Sequence, residues 1–201
     1  MQALALGLCA LQLCPAVLGG RWGQPLLVER PPARRLSMVG GFSWENCGNG
    51  TDPFVIKSLS VAPDPIHIPG DVKVSVAVSS EAEIGSPLKA VFTVEKKIVD
   101  IWLKVPCLDD IGSCTYDGLC RMLDNVIPPG TPCPEPLLSY GIPCHCPFKP
   151  GSYSLPPSDF YLPVIQLPPW LTNGDYRVQV VLSNGAKQLA CVKVALSLHS
   201  D

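Results

Sequence analysis

No C-x-x-C, no G-x-S-x-G and no glycine-rich phosphate loop occurs in this chain, and its three histidines, His67, His145 and His199, are scattered. These absences argue against zinc modules, dithiol redox chemistry, serine-hydrolase elbows and nucleotide-binding loops. Charge is scarce too, at 16% of residues. The one adjacent acid pair, Asp109 and Asp110, is poorly placed to flank a substrate bond, because neighbours on an extended chain point apart. With no nucleophile set beside a base, a binding protein is the better class. Neither a cofactor nor a metal is called for.

Long apolar runs are missing with one exception. Residues 3–18 carry no charge and are mostly Leu, Ala, Cys and Val, and Gly19 and Gly20 follow as small residues. Residues 1–20 therefore read as a signal peptide; the missing basic start, with Gln12 and Pro15 inside the run, leaves a signal anchor as the alternative. Residues 21–41, rich in Pro, Gly and Arg without periodicity, read as a propeptide or disordered arm. That leaves 42–201 as a single domain of a soluble, secretory protein. Of 15 Lys+Arg and 17 Asp+Glu, the arm takes Arg21, Arg30, Arg34, Arg35 and Glu29, leaving 11 against 16 and a body of net charge −5. Such a body, with no basic patch, excludes nucleic acid as an expected partner.

Cysteine is what the chain has in quantity. Outside the signal lie Cys47, Cys107, Cys114, Cys120, Cys133, Cys144, Cys146 and Cys191. An even number in an oxidising compartment reads as four disulfides, whose pairing spacing alone does not fix. In the stretch GIPCHCPFKPG, Gly141 to Gly151, Cys144 and Cys146 are expected to staple outward to different partners, with His145 an exposed loop residue. Asn49-Gly50-Thr51 is a glycosylation sequon, read as surface attachment at Asn49.

Strand patterns dominate the rest. Val72, Val74, Val76 and Val78 alternate with smaller or polar residues, as do Leu88, Ala90, Phe92 and Val94. Tyr176, Val178, Val180 and Leu182 make one face, Asn184-Gly185 a tight turn, and Val192, Val194, Leu196 and Leu198 the returning face. Phe54 to Val61 and Phe160 to Ile165 are weaker strands, the second demoted to an edge by Pro163. The expected class is all-β and antiparallel, with one short helix where Leu119, Met122, Leu123 and Val126 repeat at helical spacing, inside a disulfide-stapled insert from Cys107 to Cys146.

Two apolar stretches bear on function. Ile98 to Trp102 is bracketed by Lys96, Lys97 and Lys104, and Tyr161 to Leu171 carries Pro163, Pro168 and Pro169, which bar a regular central strand. Core filling is one reading. The other is an apolar surface contact with lipid, since indoles and lysines suit a membrane interface.

FSWENCG from Phe42, PDPI from Pro63, PCLDDIGSCTYDGLC from Pro106, CPEPL from Cys133, YGIPCHCPFKPGSYSLP from Tyr140 and CVKVALSL from Cys191 resemble the ganglioside G(M2) activator family. The resemblance covers nearly all of residues 42–198. It implies a β-cup of about eight antiparallel strands around an apolar cavity that takes a ceramide. It implies the pairs Cys47–Cys191, Cys107–Cys114, Cys120–Cys146 and Cys133–Cys144. It further implies a non-enzymatic cofactor of the lysosome lumen, reached by the secretory pathway and partly secreted. Such a cofactor lifts ganglioside G(M2), and related glycolipids or phospholipids, from anionic membranes and presents it to β-hexosaminidase A. By position, Ile98, Val99, Ile101 and Trp102 match a membrane-facing loop. Tyr161, Leu162, Val164, Ile165, Leu167, Trp170 and Leu171 match a loop at the cavity rim, and Tyr176 completes the lipid-binding set. Asp100 departs from that pattern, and its charge is expected to oppose insertion at neutral pH. The alternatives are a general lipid or sterol carrier of the same fold, a secreted lipid-ester hydrolase, and a cysteine-rich adhesion module.

Overall fold

Alternating apolar residues need two layers to bury them, and the chain supplies two sheets. The computed structural model describes residues 41–164 and 172–200, so the expected signal peptide and all of the arm but Gly41 lie outside the described residues. The elements are β1 (Ser43–Asn46), β2 (Phe54–Ala62), β3 (Ile66–Ile68), β4 (Gly70–Ser80), β5 (Leu88–Ile98), β6 (Ile101–Lys104), β7 (Thr115–Asp117), α1 (Leu119–Val126), β8 (Gly151–Leu162), β9 (Gly174–Asn184) and β10 (Lys187–Ser200). The larger sheet has the order β1-β10-β9-β5-β6, with β3 added beside β10 and β7 beside β5, and the smaller has the order β2-β4-β8. Pairing is antiparallel except for β3 against β10. The fold is all-β and almost wholly antiparallel, as the alternation predicts, and its two sheets make the cup that the resemblance implies.

The β9–β10 hairpin turns at Gly185-Ala186, with Asn184 opposite Lys187. Gly185 takes the left-handed φ of 57° that the tight turn needs. The edge strand expected at Phe160 to Ile165 lies further upstream, at Gly151–Leu162, and stops before Pro163. Pro156 and Pro157 do not break it. Val74 and Val76 of β4 pair with Ser158 and Leu155, so both prolines fall in a bulge on an edge strand where no ladder hydrogen bond is lost.

α1 starts after Gly118, in the left-handed conformation, and ends before Pro128. Around it the insert is held by disulfides: Cys107–Cys114, Cys120–Cys146 and Cys133–Cys144, while Cys47–Cys191 ties the end of β1 to β10. His145, expected to be an exposed loop residue, is half-buried instead. Its Nε2 lies 2.9 Å from the Thr131 carbonyl and its Nδ1 is enclosed, because the Cys133–Cys144 bond folds the two sides of the loop over it.

Packing is concentrated at one end. Ile84, Leu88, Cys120 and Leu189 form a buried cluster, joined by Phe54, Leu119, Cys146, Phe148 and Leu182. These residues sit where β2, β5 and β10 begin and β9 ends. The two sheets are laced beside them, where Asn46 of β1 donates from Nδ2 to the Ile56 carbonyl of β2 and accepts from the Ile56 amide, and Asn184 donates to the Gly85 carbonyl in the connection between β4 and β5.

Candidate functional site

The register of the strands places one apolar row of each on a common face. On the larger sheet, Ala90, Phe92, Val94 and Lys96 of β5 align with Leu182, Val180, Val178 and Tyr176 of β9 and with Ala190, Val192, Val194 and Leu196 of β10, and Leu88 continues the β5 row opposite Asn184. On the smaller, Val72, Val74, Val76 and Val78 of β4 align with Val61, Leu59 and Ile56 of β2 and with Phe160 and Leu155 of β8. In a filled interior all of these would be buried. Here, besides Leu155 opposite Val76, only the extremes are: Leu88, Ala90 and Ala190 at one end and Val72 and Tyr176 at the other. Between them Phe92, Val94, Val178, Val180, Val192, Val194, Val74, Val76 and Val78 remain half-exposed. An apolar row that is closed at both ends and open in the middle lines a hollow.

The rim of that hollow carries the residues singled out from sequence. β5 and β6 form a hairpin in which Lys97 faces Trp102 and Ile98 faces Ile101 across a two-residue turn, Val99-Asp100. Val99 is 87% exposed, Ile101 65% and Ile98 45%, and Asp100 is exposed beside them. The turn holds Val99 at φ 57°, in the left-handed region that a β-branched residue rarely occupies. At the end of β8, Tyr161 and Val164 are 66% and 75% exposed and Leu162 is half-buried opposite Gly70. Ile165, Leu167, Trp170 and Leu171 lie outside the described residues.

Tyr176 and Trp102 occupy different surroundings from these tips. Tyr176 is 2% exposed on the inward row, with its hydroxyl 3.3 Å from the Thr172 carbonyl and the Lys96 ammonium 5.4 Å from its ring centre. Burial pushes its phenol up to about 12. Trp102 lies on the opposite, outward face with Lys97, half-buried under the Arg177 guanidinium, which is 3.8 Å from the ring centre. The lining valines and Arg177 were not marked as site residues from sequence. Alternation reveals which side chains share a face, but not that the face is left unfilled.

Asn49 is exposed and accepts hydrogen bonds from the hydroxyl and amide of Thr51, at 2.6 and 3.1 Å. Among the described residues one group could gather round a metal ion, Cys133, Cys144 and His145. The two sulfurs are bonded to each other, so the thiolates that a metal would need are absent. Among the described residues no helix is long and apolar enough to cross a membrane.

Comparison with known proteins agrees with this architecture. The family model of the ML domain (E1_DerP2_DerF2) matches residues 41–198. The ganglioside GM2 activator of Mus musculus is 53% identical over 165 residues, covering 82% of this chain and 86% of the mouse protein. That of Macaca fascicularis is 53% identical over 173 residues, covering 86% of this chain and 91% of the macaque protein. A solved Niemann-Pick type C2 protein from Japanese carpenter ant is 13% identical and covers 78% of this chain and 98% of its own, with a TM-score of 0.39, a likeness too loose to bear on function. With its hollow, its apolar rim and these relatives, the chain belongs to the ganglioside GM2 activator family of ML-domain proteins, lipid-binding cofactors and not catalysts.

Proposed function

We propose that the protein lifts ganglioside G(M2), or a related glycolipid or phospholipid, out of an anionic membrane in the lysosome lumen. It then presents the headgroup to β-hexosaminidase A, which removes the terminal N-acetylgalactosamine. The observation that supports this most is the half-exposed inward row of Phe92, Val94, Val178, Val180, Val192 and Val194. Each methylene moved into water costs ~0.8 kcal/mol, so a ceramide with roughly 30 exposed carbons costs on the order of 20 kcal/mol. A hollow lined by apolar side chains removes most of that cost, and a hydrolase working in water cannot.

Entry to the bilayer falls to the β5–β6 tip, where Ile98, Val99 and Ile101 are exposed. The body's net charge of −5 is set against an anionic surface, so acidification, which neutralises carboxylates, favours contact. Equal binding to anionic vesicles at acidic and neutral pH would count against this. An N-glycan on Asn49 fits the reading of a secretory protein. Glycosidase treatment of the secreted chain is expected to increase its mobility, and Asn49→Gln to abolish that change.

The inward rows offer contacts for tails and few for a headgroup, which favours a broader lipid carrier as the second reading. The deciding experiment is β-hexosaminidase A turnover of ganglioside G(M2) in detergent-free anionic vesicles at acidic pH, with and without the protein, alongside a water-soluble substrate. Stimulation confined to the vesicle lipid supports presentation. An active enzyme that gains nothing removes it and leaves the carrier.

A further inference from the structure

The outward face beside the β5–β6 hairpin holds an arrangement that lipid uptake does not require. Arg177 pairs in register with Glu95 of β5 and Ala195 of β10, yet its guanidinium reaches across β5 to lie over Trp102 of β6. That is a span of two strand spacings, ~9.6 Å. Beside the stack opens a groove of about 100 Å³ lined by Ser43, Lys97, Trp102, Asp175, Arg177 and Ser197. Asp175 accepts a hydrogen bond from the Ser197 hydroxyl at 2.7 Å. Neither Arg177 nor Lys97 forms an ion pair with a described residue. Two cations therefore face one small groove with unused donors, in a body whose net charge is negative.

We propose that Arg177 and Lys97, with Trp102 beneath, form a site for the phosphate of an anionic phospholipid in the membrane on which the hairpin lands. A guanidinium stacked flat on an indole keeps its edge N–H groups free for an oxyanion. The stack also covers the groove side of the indole, which disfavours a sugar ring there, and the volume equals only ~3 waters. Depth agrees with this assignment. From the Lys97/Trp102 pair to the turn is two residues, ~7 Å. A tip immersed by that amount, within the ~5–10 Å typical of interfacial segments, sets Trp102 and both cations level with the phosphates. Asp100 at the turn carries the opposite charge, and the two cations offset its repulsion from an anionic surface.

This inference rests on the membrane contact proposed above, and one assay separates the two. The full chain is sedimented with phosphatidylcholine vesicles and with vesicles of phosphatidylcholine plus phosphatidylglycerol. Each interfacial cation contributes about fivefold to anionic preference. Arg177→Gln and Lys97→Gln are each expected to lower the anionic-to-neutral ratio by that factor while leaving binding to neutral vesicles unchanged. Lys73→Gln, on the smaller sheet and paired with Asp159, is expected to leave the ratio alone. Val99→Gly is expected to weaken binding to both vesicle types. An unchanged ratio in Arg177→Gln overturns the phosphate site, as does an equal fall in Lys73→Gln, which would make the effect one of net charge. The site is equally overturned if inorganic phosphate protects Arg177 from a guanidine-directed reagent and anionic vesicles do not. Unchanged neutral binding in Val99→Gly instead overturns the membrane contact itself.

Discussion

Val99 offers a perturbation whose effects on binding and on stability run in opposite directions. Its side chain is 87% exposed at the tip of the β5–β6 hairpin, so folding gains almost nothing from its apolar surface. If the tip enters a bilayer, that surface is buried only there, and removing it costs ~1.5 kcal/mol of partitioning, about tenfold. The backbone works the other way. A φ of 57° costs a β-branched residue ~1–2 kcal/mol, and glycine removes that penalty while adding ~0.5–1 kcal/mol of unfolded-chain entropy. Val99→Gly should thus bind vesicles about tenfold more weakly and unfold in urea at the same or a slightly higher concentration. Vesicle sedimentation and urea titration on one preparation measure both. Unchanged partitioning would refute the tip as the membrane contact, and a loss of stability beyond ~1 kcal/mol would refute the reading of Val99 as a strained residue kept for binding.

Three further outcomes follow from the described geometry. Val180, inward and half-exposed between Phe92 and Val192, borders open space. Val180→Trp should therefore stay folded at a cost below the ~1–3 kcal/mol of overpacking a filled core while reducing uptake of a fluorescent lipid; a large fall in melting temperature would show that the interior is filled. The Cys47–Cys191 bond closes a separation of 144 residues and Cys107–Cys114 one of 7. Chain-entropy estimates of about 5 and 2.5 kcal/mol then predict that paired Cys→Ser replacement costs roughly twice as much at the first, and equal costs in urea titration would contradict that. Tyr176, with its phenol pushed up to about 12 by burial, contributes stability that is complete below the unfolded value near ~10 and is lost as pH rises through the folded one. Tyr176→Phe should lack the last phenolate absorbance step of an alkaline titration and show a shallower loss of stability there; an identical titration would mean that the hydroxyl is solvated.

Much of this was legible because period-two alternation is strong where one face is apolar. The valines from Val72 to Val78 and the turn of helix from Leu119 stand at their expected places, and the β9–β10 hairpin turns one residue on from the expected Asn184-Gly185, at Gly185-Ala186. Short or irregular elements were not. β3 spans three residues between Pro65 and Pro69 and pairs in parallel with β10, a contact that no local pattern announces. β8 begins upstream of the expected Phe160, at Gly151, because a bulge on an edge strand accommodates Pro156 and Pro157. Trp102 reads from sequence as one of a run of apolar residues with Ile98 and Ile101, yet the pleat turns it outward under Arg177. Recognising that stack needs the register of three strands at once.

The hollow and the cysteines are two sides of one constraint. A domain that leaves the middle of its inward rows uncovered forgoes the packing that normally offsets chain entropy, and that deficit grows with every valine left half-exposed. Among the described residues the one buried cluster is that around Leu88 and Leu189 at one end, small for a fold of this length. Three of the four disulfides gather beside that end or in the insert next to it, and the fourth clamps the first strand to the last. Cross-links restrict the unfolded chain without occupying the interior. They can therefore stabilise a cup that has to stay empty until a lipid enters, which additional apolar side chains could do only by filling it.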